Sequence, residues 1–129
     1  MAGLIAYLSY FGGSAAFLVL GLTAYVLVTP YHEFSLIRQG NTAAAYSLGG
    51  TVIGLALPIA SAVAHSVSIS DLAVWAAVAS LTQMAVFLTI TMLLPGFKGA
   101  IAADRVGYGV FLGAASVAIG ALNAAALTY

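Results

Sequence analysis

Four runs of more than twenty residues, Leu4–Val28, Thr42–His65, Leu72–Leu94 and Val106–Leu127, contain no Asp, Glu, Lys or Arg. A helix needs roughly 20 apolar residues to cross a hydrocarbon core about 30 Å thick, and each run supplies them. A β-barrel would need in-out alternation over segments of about 10 residues, whereas these runs are continuous. The rest of the composition excludes a water-soluble fold. Only 5% of the 129 residues are charged and 64% are hydrophobic, with a mean hydropathy of +1.15. A soluble domain carries about 25% charged residues, and six charged side chains do not cover a water-facing surface of this size. The expectation is an all-α membrane protein: a single domain over residues 1–129 with four spans in contact with the lipid bilayer.

The breaks between runs carry the expected punctuation. Thr29-Pro30 ends the first and Leu94-Pro95-Gly96 the third, because proline disfavours helical geometry in the residue before it. Ser70-Asp71 stands where a side-chain oxygen can cap the third span. The opening MAGLIAYLSYFGG has no Lys or Arg ahead of its apolar run, and reads as the first span rather than a cleaved signal peptide. Arg38, Lys98 and Arg105 all fall on one side of a four-span topology. The positive-inside rule makes that side cytoplasmic and puts both termini outside. Tyr7, Tyr10, Trp75, Tyr108 and Tyr129, near span ends, read as interface anchors.

The two halves, 1–65 and 66–129, look alike. Each has a span, a proline, a short connection with sparse charges, and a span with a small or polar stripe. Pro30 matches Pro95, and Leu48-Gly49 matches Leu112-Gly113, with a spacing that drifts between about 62 and 65 residues. Units of two spans repeat in parallel, about an axis along the membrane normal.

The stripes are the second organising feature. Ser47, Thr51, Gly54, Pro58, Ser61 and His65 share one face of the second span; Gly109, Gly113, Ser116, Gly120 and Asn123 share one face of the fourth. Such spacing marks a seam along which a helix packs. The Gly50–Gly54 and Gly109–Gly113 pairs let backbones approach closely. Ala45, Gly49, Ala56 and Ala60 form another narrow face on the second span, which predicts contacts with a second copy or a larger membrane complex.

Residues with chemical potential each have two readings. His65, with Asp71 six residues on, is either a titrating pair or an interfacial ending. Pro58 frees the Gly54 carbonyl, which then lines a wet path or accepts a hydroxyl from a neighbouring helix. Gln83, Asn123 and Ser61 bridge helices or bind a solute. His32, Glu33, Arg38, Asp104 and Arg105 lie in connections, either paired across the halves or simply solvated.

From Gly40-Asn41-Thr42 onward, the run EFSLIRQGNTAAAYSLGGTVIGLALPIASAVAHSVSISDLAVW resembles the YjfL-type family of small bacterial inner-membrane proteins. The ending Gly120-Ala121-Leu122-Asn123-Ala124-Ala125 is similar to that family's C-terminal pattern. In the second half, Asp104-Arg105-Val106 stands where a second Gly-Asn-like start is expected. The resemblance implies a four-span protein of the bacterial inner membrane and brings no reaction, ligand or catalytic residue with it.

Several functions lack their residues. The chain has no cysteine, hence no thiolate chemistry or Cys-ligated metal. There is no spanning His pair for haem, no carboxylate pair, no nucleophile with its base and no phosphate loop. Zero net charge offers no basic face for nucleic acid. No enzyme, cofactor or metal centre is expected. Two readings survive: a scaffold or accessory subunit acting by helix association, or an oligomeric ion or small-solute channel or transporter along the Ser47–His65 stripe. They differ in whether that stripe faces protein or water.

Overall fold

A computed structural model describes residues 2–29 and 32–127. Six helices run in the order α1 (Ala2–Val28), α2 (Glu33–Arg38), α3 (Thr42–His65), α4 (Ile69–Met92), α5 (Phe97–Ala102) and α6 (Val106–Ala126). Four of them, α1, α3, α4 and α6, are long and apolar enough to cross a membrane. The protein is an all-α membrane protein. Pro30 and Tyr129, to which the sequence assigns a helix stop and an interface anchor, lie outside the described residues.

The short helices α2 and α5 were not expected. Six residues show no helical period, so the connections read as charged loops. Their apolar side chains, Leu36 and Ile37 from α2 and Ile101 from α5, instead fold back onto the core. Both helices end in the same motif. Gly40 N donates to Ile37 O and Asn41 N to Leu36 O; Asp104 N donates to Ile101 O and Arg105 N to Ala100 O. These paired bonds close a helix through a left-handed residue, here Gly40 at φ 86° and Asp104 at φ 58°. The start of α2 precedes that of α5, and the start of α3 that of α6, by the same 64 residues. Asp104 therefore fills the position of Gly40. Asp is among the few non-glycine residues that visit this conformation as single residues.

The start of α4 also differs from expectation. Its N-cap is Ser68, whose Oγ accepts from Asp71 N at 3.1 Å, while Asp71 Oδ2 accepts from Val67 N at 3.2 Å. Ser70 already lies inside the helix. Two oxygens satisfy two otherwise orphaned donors, as in a capping box.

Helices α3 and α6 form the centre of the bundle, with α1 and α4 packed outside them. They run parallel: Gly109 lies against Ala43, Gly113 against Gly50, Gly120 against Gly54. Contact is at backbone level. A Cβ on Gly109 would stand 2.1 Å from the Ala43 carbonyl oxygen, and one on Gly50 2.2 Å from the Gly113 Cα. Lipid tails are as apolar as leucine, so burial in hydrocarbon gives helices little reason to associate; close van der Waals packing over small residues does. Gly49, one residue from Gly50, is exposed, and a Cβ there would meet nothing within 4 Å. It lies on the second narrow face of α3 rather than in the seam, because one residue turns a helix face by about 100°.

At one end of the seam a core forms around Tyr25, Leu48, Phe87, Ile101 and Leu112, with Tyr25 and Phe87 edge to face at 4.8 Å. At the other, Ala62, Leu72, Ala79 and Leu127 pack together. Large apolar side chains such as Leu20, Leu27, Leu81, Met92 and Leu122 point outward, where the bilayer is their solvent.

Candidate functional site

Polar residues of the stripe gather between the two apolar cores. Ser47, Thr51, Gly54 and Pro58 on α3 are buried, as is Ser116 on α6 and Gln83 on α4. Thr51 Oγ1 donates to Ser47 O at 3.0 Å, a bond within its own helix. Gln83 Nε2 donates to Ser116 O at 2.7 Å, tying α4 to α6. The other amide atom, Gln83 Oε1, has no hydrogen-bond partner among the described residues, and the same holds for Ser47 Oγ. Beside them is a cavity of about 10 Å³ lined by Gly21, Thr51, Ser80, Gln83 and Ser116 among others. That is the room one water occupies, far from a conduit.

Pro58 frees the carbonyl of Gly54, four residues earlier. That oxygen faces α6 at Gly120, where a Cβ would lie only 2.3 Å from it. The freed carbonyl is thus enclosed in the α3–α6 seam. Gly54 itself packs on Ser116, whose carbonyl oxygen would be 2.4 Å from an added Cβ.

Toward the α3–α4 turn, two more bonds join helices. Ser61 Oγ donates to Ala124 O at 2.7 Å, and Asn123 Nδ2 donates to Ala79 O at 3.1 Å. His65 is exposed; its Nδ1 lies 2.9 Å from Ser61 O and donates to it, since a carbonyl only accepts. Asp71 is committed to the α4 cap. No group of three His, Cys, Asp or Glu side chains that could hold a metal ion occurs among the described residues.

The α2–α5 end holds what the sequence concealed. Asn41 Nδ2 donates to Ile101 O at 2.8 Å while its Oδ1 accepts from Ala44 N at 2.7 Å. Asp104 Oδ1 accepts from Ala43 N at 2.8 Å. Each half of the chain thus caps a helix of the other. Glu33, expected in a solvated loop, is 0% exposed. Thr29 Oγ1 donates to its Oε1, and Oε2 has no partner among the described residues. Burial pushes the carboxyl up from 4.5 to about 7, against the opposing pull of the Thr29 bond. The one sequence signal for this was register: Glu33 stands 64 residues before Phe97, which packs against the core.

The pattern of the family described as Domain of Unknown Function (DUF350) matches residues 1–127. The chain is 34% identical over 126 residues to the UPF0719 inner membrane protein YjfL of Escherichia coli strain K12, covering 98% of this chain and 96% of the relative. It is 27% identical over 95 residues to the UPF0719 transmembrane protein YshE of Bacillus subtilis strain 168, covering 74% of this chain and 71% of that one. No solved structure matches.

Proposed function

The chain belongs to the DUF350 family, and from that premise we propose that it acts in the bacterial inner membrane by helix association, as a small scaffold or accessory subunit of a membrane complex. The observation that carries this reading is the closure of the Ser47–Pro58 stripe. Gly50, Gly54, Gly109, Gly113 and Gly120 bring α3 and α6 to backbone contact along it, which leaves no width for a hydrated path. A channel or transporter along the same stripe would require these helices to part. What remains available is the outer surface of α3, where Ala45, Gly49 and Ile53 border an open groove of about 320 Å³ beside the seam. Small residues on an outward helix face permit another helix to approach closely, and a second copy or an unlike subunit fits that role. The basic end of the bundle, with Arg38, Lys98 and Arg105, lies on the cytoplasmic side in this reading.

Native mass spectrometry of protein extracted gently with its lipids tests the proposal. A homo-oligomer that Gly49→Leu disrupts, or a larger unlike complex that the same substitution releases, supports it. A bare monomer, or assemblies indifferent to Gly49→Leu, overturns it.

A further inference from the structure

We propose that Glu33 is a proton-binding site whose ionisation releases helix α2 from the bundle. The inference stands independently of how the bundle associates.

Geometry comes first. Glu33 begins α2 and is fully buried, with one oxygen bonded to Thr29 at the end of α1 and the other unpartnered among the described residues. The matching position in the second half holds Phe97, packed against the core. The fold therefore accepts an apolar side chain at this point of the motif. A carboxylate there, with one oxygen unsatisfied and no cation beside it among the described residues, is expensive; a neutral carboxyl is far less so. Holding a proton is what makes the docked position tenable.

The surroundings support a neutral docked form. On and beside α2, His32 and Arg38 are both exposed, and Arg38 directs its Nε to Phe34 O at 3.5 Å. Helix α3 packs on α2, and its titratable group near this end, Tyr46, is exposed. Asp104, also exposed, is turned to Ala43 N. On α1, Tyr25 lies one turn before Thr29 and packs on Phe87. Burial raises the carboxyl and outweighs the Thr29 hydrogen bond, which lowers it.

Ionisation then acts on the docking of α2. When the carboxyl gives its proton to water, the carboxylate gains by leaving its apolar surroundings. Leu36 and Ile37, half-buried against the core, are carried out with it. The sign follows from linkage. The docked state binds the proton more tightly than the undocked state, so docking is strongest below about 4.5. It weakens by up to about tenfold per pH unit toward 7 and levels off above.

Two measurements on the full chain in lipid nanodiscs test this. Glu33 is the only glutamate in the sequence, so selective ¹³C labelling of glutamate yields one carboxyl resonance. A midpoint near 7 is expected; a midpoint in the ordinary range of 4 to 4.5 overturns the proposal. The chain also lacks cysteine, so Ile37→Cys introduces a single thiol that reports docking. Its labelling rate, divided by that of the Glu33→Gln, Ile37→Cys double variant, removes the intrinsic pH dependence of the thiol. The ratio should rise severalfold between pH 5 and pH 7.5. A ratio constant across that range overturns the release of α2, even where the resonance titrates near 7. The glutamate carboxyl resonance of the unsubstituted protein keeps the test decisive if a variant fails to fold.

Discussion

Asn41 and Asp104 cap helices across the two halves of the chain: Asn41 Nδ2 donates to Ile101 O, and Asp104 Oδ1 accepts from Ala43 N. The exchange is reciprocal in place but not in chemistry, since one residue supplies a donor and the other an acceptor. That difference follows from helix polarity. The end of α5 presents carbonyls and the start of α3 presents N–H groups. Together they fix the two connections to each other, and so set the register in which α3 and α6 enter the bundle side by side.

Asp104 has two duties, which substitutions separate. Asp104→Asn keeps an oxygen for Ala43 N and tolerates φ 58°, so it should cost only a few tenths of a kcal/mol. Asp104→Ala loses the cap, typically about 1 kcal/mol, and adds the strain of a left-handed non-glycine residue. Asp104→Gly relieves that strain and loses only the cap. Thermal unfolding followed by circular dichroism should rank them Asn above Gly above Ala.

Gly49 and Gly50 are neighbours in sequence with opposite expectations. A Cβ at Gly49 meets open space, while one at Gly50 would press into the Gly113 backbone. Gly49→Ala should be neutral or slightly stabilising, because alanine restricts the unfolded chain. Gly50→Ala should cost at least the roughly 1–3 kcal/mol of an overpacked core. Equal midpoints for the two variants would contradict the α3–α6 seam. Because Gly50 and Gly54 pack within one chain, bulky residues there should open the monomer rather than merely separate subunits.

Gln83 offers a balance of two effects of similar size. Gln83→Met removes the bond to Ser116, and interhelical bonds in membranes average about 0.6 kcal/mol. It also removes Oε1, an unpartnered buried acceptor of the kind that costs about 1–3 kcal/mol. The net change should favour the variant by roughly 0.5–2.5 kcal/mol. A large destabilisation would mean that Oε1 has a partner of its own in the bilayer.

The stability of the whole protein should also carry the mark of Glu33. Its carboxyl is raised from 4.5 to about 7 by burial, so the folded state holds the proton more tightly. The stability associated with it is complete below about 4.5, declines as the pH rises to about 7, and is constant beyond. The decline amounts to about 3 kcal/mol. Glu33→Gln should remove this slope in an unfolding series from pH 4 to pH 8.

The number of spans, their bounds to within a few residues and the small stripes on α3 and α6 were all readable in one dimension. The reason is the solvent. Hydrocarbon tolerates no unsatisfied backbone, so each apolar run of sufficient length must be helical. Small residues repeated on one face then leave their mark at fixed spacing, as Gly109, Gly113 and Gly120 do. What faces what is a property of pairs of helices, and pairing leaves no trace in a single run. Only the tertiary structure decided that Gly50 meets Gly113 while Gly49 meets lipid-facing space, and that Gln83 reaches the Ser116 carbonyl. It also revealed that Ser68, and not Ser70, is the N-cap of α4 and that Glu33 is buried. A glutamate three residues after a proline, in a short connection, has every local sign of exposure. Burial came from α2 folding back onto the core, through contacts with residues distant in the chain, and local sequence carries no record of those.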